Sequence, residues 1–498
     1  MVVPYPSAMF LDRESCTRAL ESRDPRFDGV FFVGIVSTGI YCRPICPART
    51  TLRKNRRFFS SAAAAERAGF RPCLRCRPEL APGCARVDAV PRLAQSAASR
   101  IAAGALNGRG VDALAHDLGV SERHLRRALQ QELGVSPVEL AQTHRLLLAK
   151  HLLTDTRLPV TRVAFASGFQ SLRRFNALFR SRYRLNPQAL RSRGGRSAGV
   201  EPDDAIRLTL SYRPPLAWEA LLTLLRARAT PGVEIVDERS YGRTVSIDGR
   251  SGTVRLTRPS TPAHHGSSAP PSLRLEVSAS LAPVLMQVCA RVRHLFDLDA
   301  EPTRIEELLL AGGVGPIPTA RRGLRVPGAF DGFELAVRAV VGQQVSVKGA
   351  TTLMARLTDE FGEPAASLDP TLSRLAATAP RIAEADVARI RGIGLPAARA
   401  ATIRTLARHV ADGALRLEPE SDVRTLTRQL TELPGIGSWT AEYIAMRAVH
   451  WPDAFPHGDL ALRRNAGNLT PAKMLRAAER WRPWRAYAAM HLWMRDHV

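Results

Sequence analysis

Four cysteines, Cys42-x3-Cys46 and then Cys73-x2-Cys76 after twenty-six intervening residues, constrain this chain more than any other feature. Two short-spaced pairs can bring four thiolates to one point, the ligand set of a tetrahedral Zn²⁺. A small α/β domain holding one Zn²⁺ on Cys42, Cys46, Cys73 and Cys76 is therefore expected over residues 1–85. The stretch between the pairs carries Arg53, Lys54, Arg56, Arg57 and Arg67 with Phe58, Phe59 and Phe70. It reads as a metal site embedded in cations and built to sit against phosphates. Spacing alone does not say whether a thiolate also does chemistry, since most such sets are purely structural. Cys16, Cys84 and Cys289 lie outside the pattern and read as small apolar fillers.

Charge points to the partner. The formal net charge is +25, the balance of a protein that seeks a polyanion. Residues 1–200 carry 33 basic and 14 acidic side chains, so +19 of that total lies in the first part of the chain. Double-stranded DNA is the expected partner. The start of the chain shows no signal peptide, and no run of about eighteen apolar residues marks a membrane span. Seven cysteines, four of them better used as metal ligands, suit a reducing cytoplasm, here beside the nucleoid.

Composition divides the 498 residues into blocks. Residues 88–193 read as almost wholly helical, and residues 194–204 as a flexible linker. Residues 205–295 open on the strand-like alternation Ile206 to Leu210 and read as an α+β subdomain, with Pro259 to Pro271 a surface loop. Residues 296–498 read as all-α. The helical block repeats one grammar twice. A short helix from Val111 turns at Gly119, and Ser121 caps a helix Glu122–Glu132; then Val160–Ala166 turns at Gly168, and Ser171 caps Leu172–Arg182. Leu125, Leu129, Phe175 and Phe179 fall on the core faces. Arg123, Arg126, Arg127, Arg173, Arg174, Asn176 and Arg180 are left to face a DNA groove or its phosphates.

Two such units joined by a helix at about Pro137–Leu153 resemble the AraC-type DNA-binding domain. Gly39-Ile40-Tyr41-Cys42-Arg43-Pro44-Ile45-Cys46-Pro47 resembles the N-terminal half of the Ada adaptive-response family. That resemblance implies that Cys42 accepts a methyl group from a DNA methylphosphotriester. It also implies that the methylated protein activates transcription at a promoter operator, with RNA polymerase as a partner. Methylation would take a four-thiolate zinc site from a formal −2 to −1. At about 10 Å from a phosphate, that unit of repulsion is worth about 0.4 kcal/mol in water and about 1.7 at an effective dielectric of 20. The Pro-Cys-His-Arg site of the family's O6-methylguanine methyltransferase does not occur here.

Leu433-Pro434-Gly435-Ile436-Gly437-Ser438-Trp439-Thr440-Ala441 reads as a helix-hairpin-helix, in which Gly435 and Gly437 allow a tight turn that offers amides to a DNA phosphate. Asp459 follows twenty residues after Trp439. With Gly342-Gln343-Gln344 and Trp481-Arg482-Pro483-Trp484, the block resembles the AlkA family of 3-methyladenine DNA glycosylase II. The resemblance implies that Gln344 is the wedge replacing an extruded nucleotide and that Trp439, Tyr443 and Trp493 line the base pocket. Asp459 would be the catalytic carboxylate. Trp439 stands where backbone-cutting relatives place a lysine, so a monofunctional hydrolase is implied. Gly458 replaces an acidic neighbour and Met494 an aromatic one, while His457 and His491 receive no catalytic part. Asp459 is also a natural helix N-cap, and the three aromatics could be ordinary core. The rival reading is a transcription regulator with an inactive glycosylase-like module; a glycosylase whose front half only adds DNA affinity is a third.

Overall fold

The computed structural model describes residues 12–48, 51–83, 92–193, 205–259, 271–367, 369–419 and 421–497. Cys84, the linker at 194–204 and most of the loop after Pro259 lie outside the described residues. The chain divides into two compact units, one of Met1–Arg213, Pro259–Ala290 and Leu298–Ala300, the other of Pro214–Arg258, Arg291–Asp297 and Glu301–Val498.

In the first unit a four-stranded sheet has the order β3-β1-β2-β4, from β1 (Phe32–Ile35), β2 (Ile40–Cys42), β3 (Arg56–Phe59) and β4 (Arg71–Pro72). β1 is antiparallel to β2 and β3, whereas β4 runs parallel to β2. All four β1 residues are buried. Helices Val111–Asp117, Glu122–Leu133, Pro137–Asp155, Val160–Ala166 and Leu172–Tyr183 follow. Three of these starts are capped by serine. The hydroxyls of Ser121 and Ser171 accept from the amides of His124 (3.2 Å) and Arg174 (3.4 Å). Ser136 and Glu139 form a capping box ahead of Pro137. Gly168 turns at φ +85°, and a Cβ there would lie 2.4 Å from the Asn107 side chain. Leu125, Leu129, Phe175 and Phe179 are fully buried, and Phe169, Phe175, Phe179 and Tyr183 meet in series, edge-on or tilted, at 5.1, 5.5 and 4.5 Å.

One buried carboxyl ties the sheet to these helices. Glu66, on helix Ala62–Arg67, accepts from the Tyr41 hydroxyl (3.1 Å) and the Thr143 hydroxyl (2.9 Å). Arg182 donates to the Glu66 carbonyl at 3.1 Å. Burial pushes the Glu66 carboxyl up to about 7, even though Thr143, Arg182, Tyr41 and Lys150 all favour its charged form. Also in this unit, β5 (Ala205–Ser211) pairs antiparallel with the later strand Ser272–Ser278.

The second unit contains the antiparallel strands β6 (Glu234–Val236), β7 (Ser240–Ile247) and β8 (Arg250–Thr257), and Ser272–Ser278 is accordingly β9. From Pro302 on, the unit is essentially helical. Helices Gly332–Val341, Val347–Phe361, Ala397–Ala411, Val423–Glu432 and Ser438–Arg447 share one apolar core in which Val340, Ile403, Leu406, Leu430 and Ile444 are fully buried. Among the described residues, no helix is long and apolar enough to cross a membrane.

Two outcomes follow. Phe175→Ala deletes a ring with two aromatic neighbours and should cost about 3–5 kcal/mol by chemical denaturation. Glu66 works in the opposite direction. The unfolded chain gives up this proton near the ordinary 4.5, whereas the folded chain keeps it to about 7. Its contribution to stability therefore falls as pH rises between those values, by about 3 kcal/mol in total. Denaturation of zinc-saturated protein across that window should show a slope difference that Glu66→Gln abolishes.

Candidate functional site

β2 ends on Cys42, and β4 lies parallel beside it with Tyr41 opposite Pro72, so Cys73 follows at once and its amide bonds the Tyr41 carbonyl at 3.0 Å. That pairing brings the two cysteine pairs together. The sulfurs of Cys42, Cys46, Cys73 and Cys76 all lie within 4.8 Å of one another, and all four residues are buried. Metal–sulfur bonds of about 2.3 Å place tetrahedral sulfurs about 3.8 Å apart, so the donor set fits one Zn²⁺. Cys16 and Cys289 stand outside the cluster, buried and half-buried.

The support of this cluster was not legible from spacing. The Arg43 amide donates to the Cys76 sulfur (3.3 Å) and the Arg75 amide to the Cys73 sulfur (3.4 Å). The Arg43 guanidinium is buried on the Asp28 carboxylate, Nε to Oδ1 at 2.8 Å, and its Nη1 donates to the Cys76 carbonyl at 3.1 Å. Lys150 donates to the Cys73 carbonyl at 3.3 Å and pairs with Glu79. Burial raises the Glu79 carboxyl, but Lys150 and Arg77 outweigh it and hold the group below its ordinary value. Both ends of the Cys73–Cys76 turn are thus held by cations from elsewhere.

The cations between the cysteine pairs do not all face outward, which corrects the sequence-based expectation. Arg56 is buried and bonds Glu21 (3.0 Å) and the Thr51 carbonyl (2.8 Å). Arg53 also pairs with Glu21, at 3.0 Å, and Arg67 donates to Gln130 at 3.0 Å. Their counter-groups come from distant segments that the fold brings alongside. Lys54 is exposed, and Arg57, also exposed, lies over Phe59 and Phe70. On the helix-turn-helix units, Arg123, Arg127, Arg173, Arg174 and Arg180 are exposed, Asn176 is half-buried, and Arg126 pairs with Glu122 one turn back.

The second constellation lies in the other unit. Gly435 turns at φ +86° between helices Val423–Glu432 and Ser438–Arg447, where a Cβ would lie 2.3 Å from the Thr402 hydroxyl oxygen. Gly437 is different: its φ is −89°, it caps the next helix, and a Cβ there would meet nothing within 4 Å. Only the first glycine is required by the turn; the second leaves open space beside the helix start. Gln344 is exposed at φ +55°. Its neighbour Gln343 donates to the Gly435 carbonyl and the Thr440 hydroxyl, both at 2.9 Å, tying this segment to the hairpin.

Asp459 caps helix Leu460–Asn465, its Oδ1 accepting from the Leu462 amide at 3.0 Å. The same carboxylate accepts from two indoles, Trp439 Nε1 on Oδ2 and Trp493 Nε1 on Oδ1, each at 3.0 Å. Capping and a site role are therefore compatible. Trp439 lies nearly parallel to Tyr443 at 5.5 Å and 13°, and Trp493 meets Tyr443 edge-on at 6.2 Å. All three rings and Asp459 are half-buried. Arg447 donates to the Tyr443 hydroxyl at 2.9 Å. Burial raises that phenol, but Arg447, Arg228 and Arg338 outweigh it and the net shift is downward. Glu442, raised by burial, accepts from the Phe455 amide at 2.9 Å and steadies the approach to Asp459. Burial, with Arg321 and Arg495, lowers His491 to about 4, so its ring is neutral. Arg447 sits one turn from Tyr443 on the same helix, whereas Arg228 and Arg338 come from distant segments that no local pattern announces.

Family comparisons match the whole arrangement. The metal-binding domain of Ada matches residues 15–79, a helix-turn-helix domain 114–193, the AlkA N-terminal domain 207–331, and the HhH-GPD superfamily of base excision DNA repair proteins 337–484. The "Probable bifunctional transcriptional activator/DNA repair enzyme AlkA" of Mycobacterium tuberculosis (strain ATCC 25618 / H37Rv) is 40% identical over 97% of this chain and 96% of its own length. DNA-3-methyladenine glycosylase 2 of Escherichia coli (strain K12) is 36% identical over 57% of this chain and 96% of its own length. The "Bifunctional transcriptional activator/DNA repair enzyme Ada" of the same strain is 36% identical over 25% of this chain and 34% of its own length. With the four-sulfur cluster, the paired helix-turn-helix units and the hairpin-aspartate site all present, this chain belongs to the family of bifunctional transcriptional activator/DNA repair enzymes AlkA.

Proposed function

We propose that this protein both senses and repairs alkylated DNA. Its back half hydrolyses the N-glycosidic bond of N-alkylated purines such as 3-methyladenine. Its front half takes a methyl group from a DNA methylphosphotriester onto Cys42 and then activates transcription, with RNA polymerase as partner. The glycosylase reading is carried by one observation: the Asp459 carboxylate is oriented by two indole N–H groups whose rings flank Tyr443.

An N-alkylated purine is cationic and electron-poor, and the faces of Trp439, Tyr443 and Trp493 suit it. Gln344, exposed on a turn, would fill the gap left by the extruded nucleotide, at a cost of roughly a few kcal/mol for unstacking. As the C1′–N bond breaks, the electron pair leaves with the base and positive charge grows on the sugar. Asp459 stabilises that charge, and water adds at C1′ and loses a proton. The departing base is already activated, so no strong acid is needed, and with Trp439 in the lysine position the product is an abasic site with an intact backbone.

At the other site, Zn²⁺ supplies a deprotonated yet nucleophilic sulfur at neutral pH. Cys42 Sγ attacks the methyl carbon, the S–C bond forms, the C–O bond breaks, and the phosphate leaves as an ordinary diester anion. Cys73 and Cys76 accept amide protons, which withdraws charge from their sulfurs; among the described residues no such bond reaches Cys42. The exposed arginines of helices Glu122–Leu133 and Leu172–Tyr183 would contact operator phosphates and bases.

Asp459→Asn keeps an oxygen for the cap but loses the charge, and release of 3-methyladenine from methylated DNA should fall about 100- to 1000-fold; unchanged release would favour the regulator-only reading. Cys42→Ser should carry no protein-bound methyl after exposure to methylated DNA and should leave base release unaltered. A serine variant that still activates its promoter under methylating stress would remove the sensor reading.

A further inference from the structure

β5 bonds along its whole length to β9. From Thr209 on, alternate residues make a second set of bonds. The Thr209 amide donates to His151 Nε2 at 3.3 Å, the Ser211 hydroxyl donates to the Leu80 carbonyl, and Arg213 Nη2 donates to the Asp28 carbonyl at 2.9 Å. The alternate residues Leu208, Leu210 and Tyr212 are also buried. The period of a strand thus sends every second residue to the metal domain and its long helix, and an edge that would otherwise offer unpaired groups is covered.

Arg213 goes deepest. It is 3% exposed, and its fork spans two carbonyls, Asp28 at 2.9 Å and Asp299 at 2.7 Å. The Asp299 carboxylate in turn accepts from the Gly83 amide at 2.8 Å. Asp28 is the residue whose carboxylate holds Arg43, and Arg43 reaches Cys76 both at its carbonyl and, through its amide, at its sulfur. Arg213, Asp28, Arg43 and Cys76 therefore form an unbroken series of contacts ending on a ligand sulfur.

We propose that Arg213, contributed by the glycosylase half, is a positioning residue of the methyl-acceptor metal site: by pinning the Asp28 backbone it completes the shell that orients Arg43 and Cys76. The inference rests on reading the four-cysteine cluster as a zinc methyl acceptor. The buried Arg43 charge needs the Asp28 carboxylate at a fixed place, and a forked donor on the neighbouring carbonyl supplies that constraint. Groups one layer outside a metal commonly govern how well it is held. The acceptor domain is then incomplete without a residue 185 positions away from Asp28 in the chain.

The test uses the full-length zinc protein and its Arg213→Ala, Arg213→Gln and Arg213→Lys variants. Loss of Zn²⁺ to excess chelator is followed with a metallochromic indicator, and the sulfur-to-metal bands of the Co²⁺-substituted proteins report site geometry. Release of alkylated bases serves as the control for the rest of the fold. Arg213→Ala should lose zinc about 10-fold faster or more, shift the cobalt bands, and release bases as the wild type does. Arg213→Lys, able to reach one carbonyl, should recover part of the difference. Folded Ala and Gln variants with wild-type zinc loss and cobalt spectra would overturn the proposal, as would a parallel loss of base release that marks general destabilisation. If the Ala variant does not fold, Gln and Lys decide the matter. Failure of the wild type to take up methyl would sink the acceptor reading separately, because metal loss is read without methyl transfer.

Discussion

Both sites depend on a carboxylate immobilised by N–H donors. Under the sulfurs, Asp28 carries the Arg43 guanidinium, and both side chains are almost fully buried. In the glycosylase unit, Asp459 carries two indoles and a helix-start amide. Removing one partner of a buried ionic pair leaves an uncompensated charge, which costs about 3–5 kcal/mol. Such groups therefore hold their neighbours to one geometry. Asp28 orients the turn that carries Cys76, and Asp459 shares its carboxylate with the indoles of Trp439 and Trp493.

The charge distribution has two uses that the net figure hides. Part of the front block's arginine is consumed internally: Arg56 and Arg53 on Glu21, Arg43 on Asp28, Arg77 on Glu79 and Asp155. These pairs knit the metal domain together around the buried side chains of Val33, Ile35, Phe32 and Phe70. Arg123, Arg127, Arg173, Arg174 and Arg180, on helices Glu122–Leu133 and Leu172–Tyr183, stay exposed and, on the proposed reading, are the ones that meet DNA. The salt sensitivity of DNA binding counts phosphates actually neutralised, so it follows this second group and not the formal +25.

Local chemistry was highly legible. Helix Val160–Ala166 lies at the expected residues, and the recognition helices run one residue past expectation, to Leu133 and Tyr183, because serine caps, turn glycines and apolar spacing all agree there. The long connecting helix extends to Asp155, two residues beyond its expected end. Ile206 to Leu210 sits inside β5. The cysteine spacing located the metal cluster outright. What escaped were groups whose meaning depends on distant partners: Glu66 between Tyr41 and Thr143, Lys150 on the Cys73 carbonyl, and Gln343 on the hairpin. Gly435 and Gly437 look alike in a motif, and only backbone geometry separates the strained turn from the open cap.

By itself, then, the sequence determined the helices of the helix-turn-helix block and strand β5, which four sulfurs gather, and which aspartate follows the hairpin, because capping, periodicity and ligand spacing act over a few residues. Tertiary structure alone decided which arginines are spent on the chain's own carboxylates and which remain exposed. It alone turned both indoles onto Asp459 and placed Arg213 behind the metal site. These outcomes depend on charges and donors far apart in sequence meeting at hydrogen-bond distance, a condition that no local pattern encodes.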